Sequence, residues 1–271
     1  MKYELIFCDF DGTLLRNDFT VGEKSVKAIK DYISRGGNFV VCTGRMSRSM
    51  DGWLDYLGIG KQRIAVAGFQ GTHIADTSGN LLYCNYISPD SVYKIMELGK
   101  RLGVYTHFYD PDWVYVEEEN EINREYRRIT SVPLKVAGDL CKYIKSHPDL
   151  KVVKAMAVAP ADKLDEVRAE YEKLVINDVQ FQYSSDNFID FVSKNGGKGE
   201  ALRKVAALLN VPMEKTIAMG DHQNDVSMLK AAGLGIAVAN AREEVKKAAD
   251  YVTVSNDEDA VAEIINKFCG E

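Results

Sequence analysis

Residues 3–13 read YELIFCDFDGT, and this stretch decides the fold. The mainly apolar run from Tyr3 to Cys8 predicts a buried β-strand, and it leads directly into the acidic sequence DFDGT. Residues two apart in an extended chain point to the same side, so Asp9 and Asp11 would be crowded without a cation or a shared proton between them. A solvated Asp-x-Asp-Gly turn is an equally good interpretation of this stretch taken alone.

Two later apolar runs also end in polar residues. The run at residues 39–42 continues into TGR at 43–45, and the run at residues 216–219 continues into GDHQND at 220–225. Strands that alternate with helices predict an α/β fold with a doubly wound, Rossmann-like parallel core sheet. Ligands bind such sheets outside the carboxyl ends of the strands, so we expect the three polar segments to converge on one crevice.

The remaining pattern outlines the other elements. The first helix is predicted to begin at a capping box formed by Thr20 and Glu23. Near residue 72 the pattern changes to short alternating segments that suit a hairpin at residues 72–75 and 81–85. Beyond it we predict helices near 89–102, 139–146 and 161–175, and strands near 104–108, 113–117, 151–158 and 178–184.

These elements predict two domains. The alternation of strand and helix resumes with a strand at residues 188–192, which we assign to the first sheet. We therefore predict a core domain of residues 1–83 and 187–271. Residues 84–186 would form an inserted α/β domain.

Composition excludes several classes of protein. The 271 residues carry 40 acidic and 34 basic side chains, and this net charge of -6 argues against nucleic acid as a partner. No apolar run approaches the ~20 residues of a spanning helix, and the opening sequence MKYE puts a charge inside what would be the hydrophobic stretch of a signal peptide. Five cysteines without a C-x-x-C pair fit neither a disulfide framework nor a zinc site. We expect a cytoplasmic protein without membrane contact.

The polar segments favour a metal and a phosphate group. Four carboxylates, those of Asp9, Asp11, Asp221 and Asp225, would form together with Asn224 an oxygen-rich site of the kind that holds Mg²⁺. Lys198 is predicted to begin a helix after a glycine-containing loop. With that helix N-terminus and the hydroxyl of Thr43, Lys198 would form an anion site of phosphate size.

The four segments resemble the ordered motifs of the haloacid dehalogenase superfamily, specifically the Cof-like phosphatases with a large α/β cap. The matching sequences are DFDGTL at 9–14, TGR at 43–45, KG at 198–199 and GDHQND at 220–225. The resemblance spans the whole chain, and the insertion lies between the second and third motifs, where the Cof-like cap belongs. It implies that the inserted domain is a cap that sets substrate specificity.

The resemblance implies a role for each motif residue. Asp9 would be the nucleophile that forms an aspartyl-phosphate, and Asp11 would be the general acid and base. Mg²⁺ would be held by Asp9, Asp221 and the main-chain carbonyl of Asp11, with Asp225 in the same metal set. The residues expected to bind phosphate or substrate are Phe10, Thr43, Gly44, Arg45, Lys198 and Asn224.

Three functions remain open. The first is a Mg²⁺-dependent phosphatase acting on small phosphomonoesters, which the resemblance suggests are sugar phosphates or phosphorylated cofactors. A sugar-phosphate mutase or phosphotransferase would use the same intermediate, and a regulator could bind a phosphorylated metabolite without turnover. We expect a monomer or a weak homodimer. The family often has Asn-Gly-Ala after the third strand, where this chain has Phe69, Gln70 and Gly71.

Overall fold

The computed structural model describes residues 1–270, and the contacts of the chain divide it into two compact units. The first unit comprises Met1–Tyr83 and the segment from Gly197 onward, and the second comprises Cys84–Gly196. Among the described residues, no helix is both long enough and apolar enough to cross a membrane. The elements up to the second unit are β1 (Leu5–Asp9), α1 (Glu23–Ser34), β2 (Asn38–Cys42), α2 (Asp51–Leu57), β3 (Val66–Gly68), β4 (His73–Ala75) and β5 (Leu81–Cys84).

The second unit and the return of the chain supply the remaining elements. The second unit contains α3 (Pro89–Leu102), β6 (Tyr105–Tyr109), β7 (Val114–Val116), α4 (Glu121–Thr130), β8 (Leu134–Val136), α5 (Leu140–Ser146), β9 (Lys154–Val158), α6 (Ala161–Tyr171), β10 (Val179–Ser185) and β11 (Phe188–Ser193). After it follow α7 (Lys198–Leu209), β12 (Thr216–Gly220), α8 (Val226–Ala231), β13 (Leu234–Ala237), α9 (Glu243–Ala248), β14 (Tyr251–Val252) and α10 (Ala260–Phe268).

The first unit is a doubly wound α/β sheet, as predicted. Its strand order is β14-β13-β12-β1-β2-β3-β4-β5, and all pairs from β14 to β3 are parallel. The chain winds outward from the centre in both directions, so right-handed crossovers put α1 and α8 on opposite faces. Helix α1 packs against α10, and α7 packs against α8. Every residue of β1 and β12 is buried, as expected for central parallel strands.

The start of α1 differs from the predicted capping box. The N-cap is Gly22, without a capping side chain, and the Thr20 hydroxyl donates to Asp18 at 2.6 Å. Glu23 is the first helical residue, so it stands too early to close the box. A carboxylate distant in sequence accepts a hydrogen bond from the first turn of the helix instead, since the backbone N–H of Ser25 donates to Asp259 Oδ1 at 3.2 Å. The prediction was wrong because a tertiary contact replaced the local one.

The second unit contains a six-stranded sheet in the order β10-β11-β9-β6-β7-β8. Strand β11, which we assigned to the first sheet, pairs antiparallel with both β10 and β9. The boundary expected near residue 187 therefore falls after Gly196, because a short apolar run alone does not reveal which strands it will pair with. Helix α4 and strand β8 were also absent from the predicted elements.

The two faces of the second sheet differ in polarity. Alternate residues of its strands, including Phe108, Ala155 and Phe191, belong to an apolar cluster shared with α3, α5 and α6. The other face carries His107 and Asp190, each directly opposite Met156 of β9. His107 is buried, and burial together with the nearby Lys154 ammonium lowers its pKa to about 3. This face therefore includes polar side chains that are buried, among them His107 and Asp190.

A buried ion pair joins two strands of that polar face. Lys154 Nζ lies 3.2 Å from Asp190 Oδ1, and each side chain is only 1% exposed. The same ammonium lies 4.6 Å from the centroid of the Tyr109 ring. Removing one partner of such a pair leaves a buried charge without its counter-charge, which is far more damaging than breaking an exposed pair.

We predict that Lys154→Met lowers the free energy of unfolding by about 3 kcal/mol, because Asp190 loses its counter-ion. The double variant Lys154→Met/Asp190→Asn should recover more than half of that loss. Urea denaturation of the full chain measures both. Lys94, which pairs with Asp90 on the surface, supplies the control, since Lys94→Met should change stability by less than about 1 kcal/mol. A Lys154→Met protein as stable as the control would contradict the prediction.

Candidate active site

The candidate site lies where the direction of winding reverses in the first sheet. Strands β1 and β12 are neighbours at this point and run parallel. Asp9 is the last residue of β1, and Asp221 follows Gly220, the last residue of β12. Connections leave the two strands in opposite directions, which opens a crevice at their carboxyl ends. The topology therefore brings together two residues that are more than two hundred positions apart in sequence.

Lys198 links two of the carboxylates. It is the first residue of α7, and its ammonium donates to Asp9 Oδ1 and, at 2.5 Å, to Asp225 Oδ1. All three side chains are almost completely buried. Burial by itself would lower the pKa of Lys198, but the carboxylates of Asp225 and Asp9 outweigh burial and raise it well above its usual value. The ammonium therefore stays charged inside the unit.

Three carboxylates gather around this ammonium. Oxygens of Asp9, Asp221 and Asp225 lie within 4.8 Å of one another. Burial, partly offset by Lys198, raises the pKa of Asp9 well above its usual value, and burial followed by the charge of Asp225 raises that of Asp221 to about 7. With all three carboxylates ionised, a single ammonium would leave two negative charges uncompensated. A divalent cation would balance that charge, and its preferred ligands are carboxylate oxygens, so the residues present fit a metal site.

Asp225 braces the site with both of its oxygens. Oδ1 accepts from Lys198, while Oδ2 accepts from the backbone N–H groups of Asp221 and His222, each at 2.9 Å. These bonds fix the backbone from which the Asp221 carboxylate projects. Asp225 belongs to the predicted metal set and does lie in the acidic cluster. Because its oxygens accept from Lys198 and from the backbone of Asp221 and His222, Asp225 is suited to hold these residues in position.

Gly12 and Thr13 orient Asp221. The backbone of Gly12 has φ 79°, and a Cβ at this position would lie 2.6 Å from Asp221 Oδ2, so only glycine fits. The Thr13 hydroxyl donates to Asp221 Oδ1 at 3.0 Å. Sequence reasoning used both residues only as parts of a motif. Their contact with Asp221 could not be read from residues so far apart in the chain.

Asp11 does not join the acidic cluster. Its carboxylate accepts from Arg45 Nε at 2.9 Å and from Arg45 Nη2 at 2.5 Å, and it is 49% exposed. The alternation rule that predicted crowding with Asp9 applies only within a strand, and β1 ends at Asp9. The Asp11 carboxylate therefore lies outside the acidic cluster, and the predicted site of four carboxylates was wrong in this respect. The contact through the main-chain carbonyl of Asp11, which the resemblance implied, stays a prediction.

Arg45 and Phe10 form a packed pair beside Asp11. The Arg45 guanidinium lies 5.2 Å from the centroid of the Phe10 ring, and the same ring meets Trp53 edge-on at 5.1 Å. Phe10 has no exposed surface. Its side chain thus belongs to the core of the first unit, so only its backbone could serve the phosphate contact that we predicted for it.

Thr43 and Gly44 follow the strand beside β1. Cys42, the last residue of β2, pairs in register with Asp9, so the loop starts level with the candidate nucleophile. Thr43 is fully buried, and its hydroxyl oxygen accepts from the backbone N–H of Arg45 at 3.0 Å. The hydroxyl hydrogen is left to donate to an anion. This position suits the phosphate contact expected of the loop.

Gln70 makes a contact in the site that the sequence did not predict. Its side chain is fully buried, and Oε1 accepts from Asn224 Nδ2 at 2.8 Å. The only feature of the sequence that drew attention to Gln70 was the departure from the Asn-Gly-Ala pattern after β3. Asn224 itself was predicted to bind substrate or orient the site, and Gln70 holds one end of its amide.

We predict that the cation-free protein loses stability as pH rises from 6 to 8. The pKa of Asp221 is about 7 in the folded chain and about 4 in an unfolded one, so folding favours the protonated form, and this contribution disappears above pH 7. The free energy of unfolding in EDTA should be about 1 kcal/mol lower at pH 8. Mg²⁺ should restore it at pH 8, and Asp221→Asn should reduce the pH dependence. Equal urea midpoints at both pH values in EDTA would contradict this prediction.

Comparison with known proteins identifies the family. A family model described as haloacid dehalogenase-like hydrolase matches residues 6–265. Phosphatase YwpJ of Bacillus subtilis is 30% identical to the chain, over 97% of the chain and 98% of that protein. The 5-amino-6-(5-phospho-D-ribitylamino)uracil phosphatase YcsE of the same organism is 29% identical, over 98% of the chain and 95% of that protein.

Solved structures agree with the fold. The crystal structure of a haloacid dehalogenase-like hydrolase from Bacteroides thetaiotaomicron superimposes with a TM-score of 0.86 at 26% identity. The match covers 98% of this chain and 99% of that one. The expected superfamily is therefore confirmed over nearly the whole length of the chain. The chain belongs to the haloacid dehalogenase-like hydrolase family and is a phosphatase of that family.

Proposed function

We propose that the chain is a Mg²⁺-dependent phosphatase that hydrolyses small phosphomonoesters through an aspartyl-phosphate on Asp9. The observation that carries the proposal is the buried carboxylate of Asp9, held by Lys198 beside Asp221 at the carboxyl end of β1. A carboxylate fixed in this way can attack phosphorus without first reorganising. Magnesium is the proposed ion because it prefers oxygen ligands and keeps several waters when few carboxylates bind it.

The residues of the site would share the first chemical step. Lys198 holds Oδ1 of Asp9, so Oδ2 is the oxygen that forms the bond to phosphorus while the ester bond breaks. The Thr43 hydroxyl and the Gly44 amide would donate to phosphoryl oxygens. A cation held by Asp9 and Asp221 supplies further neutralisation of phosphoryl charge when it is bound. The leaving oxygen takes its proton from Asp11.

Asp11 must first part from Arg45. In the structure both oxygens of its carboxylate accept from that guanidinium, so the pair has to open and Asp11 has to take up a proton from solvent before it can donate to the leaving oxygen. Arg45 is then available for an anionic or hydroxyl group of the substrate. In the second step Asp11 accepts a proton from water, which attacks phosphorus and releases inorganic phosphate. Asp9 is regenerated unchanged.

Sugar phosphates or phosphorylated cofactors are the proposed substrates. Support comes from the relative YcsE, whose name specifies a phosphorylated ribityl compound. We propose that residues 84–196 form the cap unit and determine substrate preference. The cytoplasm remains the proposed location, supported by five cysteines that form no disulfide among the described residues.

The test is hydrolysis of a phosphomonoester panel by the wild type and by Asp9→Asn. The panel should include p-nitrophenyl phosphate, sugar phosphates and flavin-type phosphates, each assayed with Mg²⁺ and with EDTA. We expect Mg²⁺-dependent release of phosphate and a loss of at least about a thousandfold in kcat for Asp9→Asn. Asp31→Asn is the matched control, because Asp31 is an exposed carboxylate paired with Lys27 on the surface of α1.

The variant Asp11→Asn separates the nucleophilic role of Asp9 from the general acid and base role of Asp11. Nitrophenolate leaves without a proton, so this variant should release a burst of nitrophenolate and then turn over slowly, whereas a sugar phosphate should give no burst. Phosphate release by Asp9→Asn at the wild-type rate would contradict the proposal. Transfer of phosphate to a second sugar without release of inorganic phosphate would favour the mutase or phosphotransferase.

A further inference from the structure

The turn after β3 has an unusual backbone. Phe69, Gln70 and Gly71 have φ values of 51°, 60° and 81°, all in the left-handed region. Glycine adopts this conformation freely, but two successive residues with side chains do so only where their surroundings impose it. The turn is therefore held in place at a conformational cost.

Hydrogen bonds tie this turn to the loop that follows β2. The backbone N–H of Gln70 donates to the carbonyl of Thr43 at 2.9 Å, and that of Phe69 donates to the carbonyl of Arg45 at 2.8 Å. The strained backbone is thus fixed against the TGR segment. Its consequence is the direction of the Gln70 side chain, which is fully buried in the first unit.

That side chain controls the amide of Asn224. Gln70 Oε1 accepts from Asn224 Nδ2 at 2.8 Å, so the nitrogen end of the Asn224 amide faces Gln70. The oxygen end, Oδ1, is buried and has no hydrogen-bond partner among residues 1–270. A buried carbonyl oxygen without a donor is unfavourable unless a bound group supplies one. The contact with Gln70 therefore engages the nitrogen end of the Asn224 amide and leaves the oxygen end without a partner in the described part of the chain.

We propose that Gln70 is a positioning residue that keeps Asn224 Oδ1 available to accept a hydrogen bond from a donor bound in the active site, either a water or a substrate hydroxyl. This inference rests on the proposed function. Gln70 itself does not touch the reacting atoms, and it acts only through Asn224. Turnover should therefore depend on the two residues as a unit and not as independent contributors.

A double-mutant cycle tests this dependence. Gln70→Met keeps the length of the side chain but removes the acceptor, and it should lower kcat about tenfold while KM changes less than about threefold. In an Asn224→Ala background the same substitution should change kcat less than about twofold, because the residue through which it acts is absent. A merely structural role for Gln70 would give the same loss in both backgrounds.

Gln70→Gly separates backbone strain from the side-chain contact. Glycine relieves the left-handed conformation, so this variant should melt no lower than the wild type and still lose kcat about tenfold. Asn210, a left-handed residue at the end of α7, supplies the control. Asn210→Gly relieves the same kind of strain away from the site and should leave kcat unchanged.

The outcomes distinguish this inference from the proposed function. Suppose that the wild type turns over and that Gln70→Met and Gln70→Gly both keep kcat within about twofold of it. This result would overturn the role of Gln70 and leave the proposed function intact. Absence of wild-type turnover would overturn the proposed function. The cycle is therefore also measured in the free energy of unfolding by urea denaturation, where additive losses would show that Gln70 does not act through Asn224 and would overturn its role independently of catalysis.

Discussion

The site depends on one buried ammonium, that of Lys198, between the carboxylates of Asp9 and Asp225. Charges removed from water are tolerated only when they are paired and hydrogen-bonded. Lys198 serves both carboxylates at once, and Asp225 in turn holds the backbone that carries Asp221. Removing the ammonium would leave three carboxylates crowded in a buried space, where burial already raises the pKa of Asp9 and Asp221. Lys198 thus offsets part of the effect of burial on Asp9 and fixes the orientation of its carboxyl group.

The sheet topology makes this arrangement possible. Asp9, Lys198 and Asp225 are far apart in sequence and meet because β1 and β12 are adjacent where the winding reverses. The loops after β2 and β3 approach the same edge and bring Thr43, Arg45 and Gln70 with them. Backbone hydrogen bonds between these two loops link the residues expected to bind phosphate to the turn that orients Asn224.

The sequence predicted the parts of the site that lie directly at the ends of strands. Apolar runs that end in DFDGT and GDHQND predicted both the parallel sheet and the meeting of their carboxylates, because parallel strands end at a common edge. It failed where a distant partner decides the outcome. The cap of α1 comes from Asp259, and β11 joins the second sheet through its pairing with β9 and β10.

The finer geometry of the site was also beyond the sequence. The pairing of Asp11 with Arg45 arises after the chain has left β1 at Asp9, and we missed it because we extended the alternation of side chains beyond the end of the strand. Helix α4 escaped prediction because it is strongly polar, although Asn120 and Asn123 form a capping box that marked its start. The contact of Gln70 with Asn224 requires a left-handed backbone that no propensity favours for glutamine.

The most direct test of this account is the kcat of Lys198→Met for p-nitrophenyl phosphate, measured on protein whose folding is verified by circular dichroism. The account predicts a loss of at least about a thousandfold, because Asp9 loses both its counter-charge and the contact that fixes its orientation. A folded Lys198→Met protein that retains kcat within about tenfold of wild type would contradict it, since the nucleophile would then not depend on the ammonium.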